Sequence, residues 1–204
     1  TGFLVPSLVN STDLGTGVRL PYFVALGPHN DATFTPFLTN ENGRTLGLRF
    51  RQALTHSDLE FDMAVTRDEL LPGETRGLVR AMGAVDLADG YKLDFNLAGV
   101  SDPAYLLDYD LSEQDRVISY LTLSRTRRDE FINANTVYYQ TLRESEDNDT
   151  LPTPISEITY LRRFGLAEIG DAALLIQLYG AARASSLPVD LDADGIDDGR
   201  DKKR

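Results

Sequence analysis

Apolar and polar residues alternate with a period of two along most of this chain. In SDLEFDMAVT (57–66), Leu59, Phe61, Met63 and Val65 fall on one face, and Glu60, Asp62, Ala64 and Thr66 on the other. YKLDFNLAGV (91–100) sets Tyr91, Leu93, Phe95 and Leu97 against Lys92, Asp94, Asn96 and Ala98, and TLGLRFRQAL (45–54) sets Leu46, Leu48, Phe50 and Leu54 opposite Arg49 and Arg51. Successive side chains of a strand point to opposite faces, so this pattern predicts strands with one apolar and one polar face. About eleven segments carry it: 2–9, 17–27, 31–39, 45–54, 58–66, 76–87, 91–100, 116–126, 131–141, 155–164 and 171–183. No amphipathic helix competes with them. Most are about as long as a tilted membrane-spanning strand, roughly 9–11 residues, where a sandwich strand has about 5–6.

The links between these segments alternate as well. PHND, THS, ADG and TRRDE read as tight turns. Between them stand RDELLPGET, SDPAYLLDYDLSEQ, RESEDNDTLPTP and the tail from Ala184, with the shorter NSTDLG and NENG in the same alternate positions. Tight turns at one end and longer polar loops at the other match an outer-membrane β-barrel, whose short turns face the periplasm. Counting back places Thr1 on the periplasmic side. The expected fold is all-β, an antiparallel up-and-down meander of about eleven strands forming part of a large outer-membrane barrel. Residues 1–183 would be the partial barrel domain and 184–204 an acidic, truncated extracellular loop. Arg49, Arg51, Glu60, Asp62, Arg80, Asp86, Lys92 and Asp94 would line a wet interior; the solvated face of an ordinary antiparallel sheet gives the same alternation.

Composition narrows the function. The formal net charge is −12, which argues against nucleic acid, whose phosphates call for a basic face. Cysteine is absent, which removes disulfides and thiolate chemistry, and with only His29 and His56 a zinc site is not expected. No apolar run reaches the length of a spanning helix; the most apolar stretch, AALLIQLYGAA (172–182), is interrupted by Gln177. Thr1 opens directly on strand-like sequence without a signal peptide and the chain stops at DGRDKKR, so both ends read as cuts through a longer protein.

Little in the sequence suggests catalysis. There is no G-x-S-x-G elbow and no glycine-rich phosphate loop, and both histidines fall in turns. Asp108 with Asp110 and Glu144 with Glu146 sit in predicted loops and read as solvated charges rather than an acid–base pair. An enzyme is not expected. The sharpest local motif is DLDADGIDDGRD. Asp190, Asp192, Asp194, Gly195, Asp198 and Asp201 occupy positions 1, 3, 5, 6, 9 and 12 of an EF-hand-type calcium loop. No flanking helix accompanies it, and position 12 is Asp rather than the longer Glu. No metal or other cofactor is therefore assigned; a helix-free calcium turn is the form the spacing allows.

Three opening segments carry a family resemblance: GFLVPS (Gly2–Ser7), LPYFVALGP (Leu20–Pro28) and DATFTP (Asp31–Pro36). In this order they resemble the start of the barrel in the LptD family of lipopolysaccharide-assembly outer-membrane proteins, also called OstA or Imp. GYKLDFNLAGVSDPAYLLDYDLS resembles the family's "D-YL-D" strand-and-loop region, and the likeness runs to about Phe164. The resemblance implies a conduit for lipopolysaccharide in the outer membrane of a Gram-negative bacterium. Its partners would be an LptE-like lipoprotein plug and periplasmic lipopolysaccharide-bridge proteins, met through a jelly-roll domain missing here. It implies a lateral gate between the first and last strands, weakened by prolines at the positions of Pro6 and Pro21. Pro36, in the third predicted strand, lies outside that scheme. The other readings are a segment of another outer-membrane porin or calcium-stabilised adhesin, and a soluble all-β binding domain.

Overall fold

A computed structural model describes residues 1–11, 14–40, 43–109, 111–112, 114–143, 145–146, 148, 154–166 and 170–181. One antiparallel sheet of thirteen strands runs through them. The strands are β1 (Gly2–Phe3), β2 (Ser7–Ser11), β3 (Gly15–Arg19), β4 (Tyr22–Ala25), β5 (Asn30–Thr39), β6 (Arg44–Leu54), β7 (Ser57–Arg67), β8 (Arg76–Asp86), β9 (Tyr91–Val100), β10 (Arg116–Thr126), β11 (Glu130–Thr141), β12 (Ile155–Leu166) and β13 (Gly170–Ala181). A one-turn helix, α1 (Tyr105–Asp108), interrupts the link between β9 and β10. From β5 to β13 each strand pairs with its neighbours in sequence, which makes the fold an up-and-down meander.

The thirteen strands correspond to the eleven predicted ones, with the first two each divided in the middle. The predicted strand 2–9 becomes β1 and β2, parted at Leu4–Pro6; the predicted strand 17–27 becomes β3 and β4, parted at Leu20–Pro21. A proline has no N–H to give to a ladder, and both breaks fall on one. Pro36 stays inside β5, paired in register with Leu46. The helix α1 was not expected, and residues 182–204, including the Asp-rich tail, lie outside the described residues.

Turn chemistry follows the sequence at the short end, where links at 26–29, 55–56, 87–90 and 127–129 join the strands. In the ADG turn Asp89 and Gly90 both take positive φ, 60° and 77°, which Asp tolerates and Gly adopts freely. The links after β7, β9 and β11 leave the sheet at the opposite end.

Register assigns the faces. Thr33 stands opposite Arg49, Arg49 opposite Asp62 and Asp62 opposite Arg80, so these polar groups share one face. Phe34, Leu48, Met63 and Val79 form the corresponding row on the other face. That face carries a continuous apolar band left uncovered, including Phe34, Leu38, Leu46, Val65, Val79, Leu97 and Leu121. A band of this extent on a water-facing sheet would be an aggregation surface.

The buried core is small and lies on the polar side. Leu14, Phe37, Val100, Tyr105, Leu106, Tyr109 and Val117 form a single cluster. Phe37 belongs to β5 and Val117 to β10, so the sheet must curl for both to meet the loop 101–115. The polar face is therefore concave. Gly17 makes room for this core, because a Cβ there would stand 2.5 Å from the Phe37 ring.

Candidate functional site

The first hairpin is an irregular part of the sheet. Gly2 and Phe3 pair with Phe23 and Tyr22, whereas Ser7 to Ser11 pair with Arg19 to Gly15, one residue out of step. Leu4, Val5 and Pro6 thus oppose only Leu20 and Pro21, which is a β-bulge. In an antiparallel ladder a hydrogen-bonded pair exchanges two bonds. Here the Leu4 N–H donates to the Pro21 carbonyl (2.8 Å), but Pro21 has no N–H to return. The next pair inward repeats this: the Leu20 N–H donates to the Pro36 carbonyl (3.0 Å), and Pro36 returns nothing. Pro36 therefore belongs to the same weak line as Pro21, one strand further in. Pro6 lies in the bulge itself and is exposed, and Val5 beside it is 87% exposed. The three prolines fall on adjacent rows of three neighbouring strands.

Concave-face charges form a cross-strand ladder. Asp62 accepts from Arg49 (2.8 Å) and Arg80 (2.7 Å), Arg49 lies 3.3 Å from Glu60, and Arg51 makes two 3.0 Å bonds to Asp31. Lys92 lies 3.6 Å from Asp86. The charges expected to share one face do so, and except for Asp94 each has an opposite charge within reach. Below the long loops this face encloses a trough of about 980 Å³ that reaches from Leu4, Pro21 and Phe23 to Val117 and Ile118.

Arg76 builds the densest polar cluster. It opens β8 directly opposite Thr66, which puts both on the concave face. Its side chain is only 2% exposed. Its Nε and Nη2 donate to both carboxylate oxygens of Asp102 (2.9 and 2.7 Å), Nη2 also to Asp108 (2.7 Å), and Nη1 to Asp68 (3.2 Å). The guanidinium also lies 5.5 and 6.0 Å from the ring centres of Tyr105 and Tyr109. The Tyr109 hydroxyl donates to Asp68 (2.6 Å), and Tyr105 shares a 3.0 Å hydroxyl bond with Thr66, which bonds Thr45 at 2.9 Å. Asp68 also accepts from the N–H groups of Leu70 and Leu71. One guanidinium thus ties the loops 68–75 and 101–115 to the sheet.

The surroundings fix the protonation states. Burial pushes the Asp68 carboxyl up, but bonds from Tyr109, Leu71 and Leu70 and the charge of Arg76 outweigh it, so its pKa lies below the ordinary value. Asp102 is held low first by its bond from Arg76. Burial raises Tyr105 and Tyr109 and keeps both hydroxyls protonated.

Two sequence readings change here. Asp108 is bonded to Arg76, and Glu146 to Arg116, Arg143 and Thr141, so neither is a solvated loop charge. Asp110 and Glu144 lie outside the described residues, as do Asp190, Asp192, Asp194, Asp198 and Asp201. Among the described residues no group of His, Asp and Glu is placed to hold a metal ion. The Arg76 cluster is absent from the sequence reading, although two signs pointed to it: the apolar YLL inside a polar link, and the "D-YL-D" pattern, whose residues are Asp102, Tyr105, Leu106 and Asp108.

A family model of LptD, described as LPS transport system D, matches residues 74–166. That span runs from just before β8 to the end of β12 and includes Arg76, Asp102 and Asp108; the three prolines precede it. LPS-assembly protein LptD of Thiobacillus denitrificans is 30% identical over 172 residues, 77% of this chain and 21% of the relative. Those of Bordetella pertussis and Aromatoleum aromaticum are each 28% identical, over 155 and 159 residues, covering 76% and 74% of this chain and 19% and 20% of the relatives. The chain spans about a fifth of the length of the curated relatives it matches. By these matches the chain is similar to LptD proteins over residues 74–166 and, more broadly, over about three quarters of its length.

Proposed function

We propose that this chain is part of an outer-membrane barrel that assembles lipopolysaccharide at the surface of a Gram-negative cell, as a conduit and not as an enzyme. The apolar band would face lipid hydrocarbon, and the charged concave face would line the lumen. The single observation that carries this reading is the pairing of those two faces on one curled meander. Apolar side chains uncovered along every central strand need a non-aqueous surrounding, and a polar interior suits passage of a sugar headgroup. The names of the relatives supply the cargo, lipopolysaccharide. Residues 1–183 serve as barrel wall in this reading.

The first hairpin serves as the lateral gate, against the last strand of the whole barrel. The one-sided pairs at Pro21 and Pro36 and the bulge at Pro6 support this: each missing net bond is worth about 0.5–1.5 kcal/mol, so a few of them shift a seam toward opening. The partners would be an LptE-like lipoprotein in the lumen and periplasmic lipopolysaccharide-bridge proteins. Surface lipopolysaccharide in cells relying on the full-length protein with Pro6→Thr and Pro21→Thr tests the gate. Slower arrival at the surface is expected, and unchanged surface lipopolysaccharide refutes the role of the prolines.

A further inference from the structure

The loop 101–115 is roof as well as link. Tyr105, Leu106 and Tyr109 turn into the concave face, at 0%, 6% and 3% exposure, while Leu107 on the same helical turn is 62% exposed and points away. Leu106, Leu111, Ser112 and Gln114 of this loop close one side of the trough whose wall includes Arg80 and Ala98. Among the described residues, the Arg76 bonds to Asp102 and Asp108, the Tyr109–Asp68 bond, the Tyr105–Thr66 bond and a 3.4 Å bond from Arg19 to the Tyr109 carbonyl fasten the middle of the roof. Its ends are held by the Gly77 N–H to Ser101 and by Arg143 to Asp115.

We infer that the loop 101–115 is a lid on the trough and that Arg76 is its latch, so that release of Asp108 and Asp102 from Arg76 opens the trough toward the long-loop side. The fastening is of a kind that can let go. Asp102 and Asp108 remain 19% and 21% exposed, so water can replace the guanidinium at both. The apolar contribution comes from three side chains on one helical turn. The fastening is also specific to arginine: a planar fork reaches three carboxylates at once, which a lysine ammonium cannot. The same trough extends to Leu4 and Pro21 at the broken hairpin. Lid and hairpin therefore bound one compartment from two sides. As a lid facing the cell exterior it rests on the barrel reading above; as a latch it rests on the Arg76 geometry alone.

The test uses the absence of cysteine from this segment. Ala98→Cys puts a thiol on the trough wall under the lid, and Leu107→Cys puts one on its outer side. On purified, folded full-length protein, a bulky hydrophilic maleimide should label Leu107→Cys quickly in every background. It should label Ala98→Cys slowly in the native background and at least about tenfold faster with Arg76→Ala, the change that follows from losing charge-assisted bonds. Asp102→Ala with Asp108→Ala changes only the loop side of the latch and leaves the sheet residues intact, so it carries the test if Arg76→Ala does not fold; the same acceleration is expected. Equal labelling of Ala98→Cys in native and Asp102→Ala/Asp108→Ala protein overturns the latch. Labelling of Leu107→Cys from outside intact cells tests orientation separately, and its failure there would count against the barrel reading while leaving the latch result standing.

Discussion

Two regions of the sheet are built in opposite ways. At the Pro6–Pro21–Pro36 line the backbone forgoes ladder bonds that nothing else on those strands supplies. At Arg76 the side chains add bonds beyond what the ladder needs: four from one guanidinium, with two tyrosine hydroxyls beside them. The contrast extends to the neighbouring strands. β6 and β7 pair without interruption from Arg44↔Arg67 to Leu54↔Ser57, whereas the first hairpin pairs in two pieces one residue out of step. A missing backbone bond weakens a seam permanently and by a small amount. A side-chain clasp holds firmly until a group is neutralised or displaced. Weakness that must always be available is thus written into the backbone, and closure that can be released is written into side chains.

The largest effect expected is at the clasp. Arg76→Ala leaves three carboxylates together without a counter-charge, and breaking a buried pair in this way costs about 3–5 kcal/mol. Denaturant unfolding of the full-length protein should show the loss, and protease should cut within 101–115 before the strands unfold. Arg76→Lys should recover only part of it. A variant as stable and as protease-resistant as the native protein would remove the clasp from the comparison.

The proline line should respond more weakly and in a set order. Pro21→Thr and Pro36→Thr each supply an N–H aimed at a waiting carbonyl, of Leu4 and Leu20 respectively, so each should add about 0.5–1.5 kcal/mol of local protection. Pro6→Thr, in the bulge, should add less. Hydrogen exchange of the Leu4 and Leu20 amides reads this directly, and a larger gain from Pro6→Thr than from Pro21→Thr would contradict the assigned geometry.

Acid and base should act on the clasp and not on the prolines. Asp68 and Asp102 have folded pKa values below the ordinary carboxylate value of 3.8, so their contribution is complete above that value and is lost as pH falls through the lowered ones. Tyr105 and Tyr109 are raised above 10.0, so their contribution is complete below pH 10.0 and is lost as pH rises through the raised values. Protection of the loop 101–115 amides, normalised for intrinsic exchange, should be flat between about pH 5 and 9 and fall on either side. A change within that window would contradict these assignments.

The smallest effect is expected on the charge ladder. Arg51 is 52% exposed where it meets Asp31, and such pairs contribute about 0–1 kcal/mol. Arg51→Gln should leave unfolding midpoints nearly unchanged, which makes it the control for the Arg76 variants.

What the sequence revealed follows the range of the interactions. The strands were legible because alternation is a local property of each segment, and so were the short turns, whose geometry Asp89 and Gly90 carry by themselves. The prolines were legible as weak points, but not as breaks that divide two strands. Pro36 could be placed on the same line only through its partner Leu20, which register alone reveals. The clasp was illegible as a unit: Arg76 finds its partners 8, 26 and 32 residues away. Each of those aspartates, taken alone, is one more charge in an acidic chain. Tyr105 and Leu106 were the local exception, since apolar residues in a polar link need a surface to cover.

Hydrogen exchange of the folded full-length protein, resolved to the amides of Leu20 and of β6–β7, tests the central contrast most directly. Leu20 lies at the break between β3 and β4, with β1 and β2 outside it, so an outer edge does not account for fast exchange there. Leu20 should exchange markedly faster than Leu48 or Met63, and Pro36→Thr should slow it. Equal protection at Leu20 and Leu48 in the native protein would show that the proline line is no weaker than the rest of the sheet.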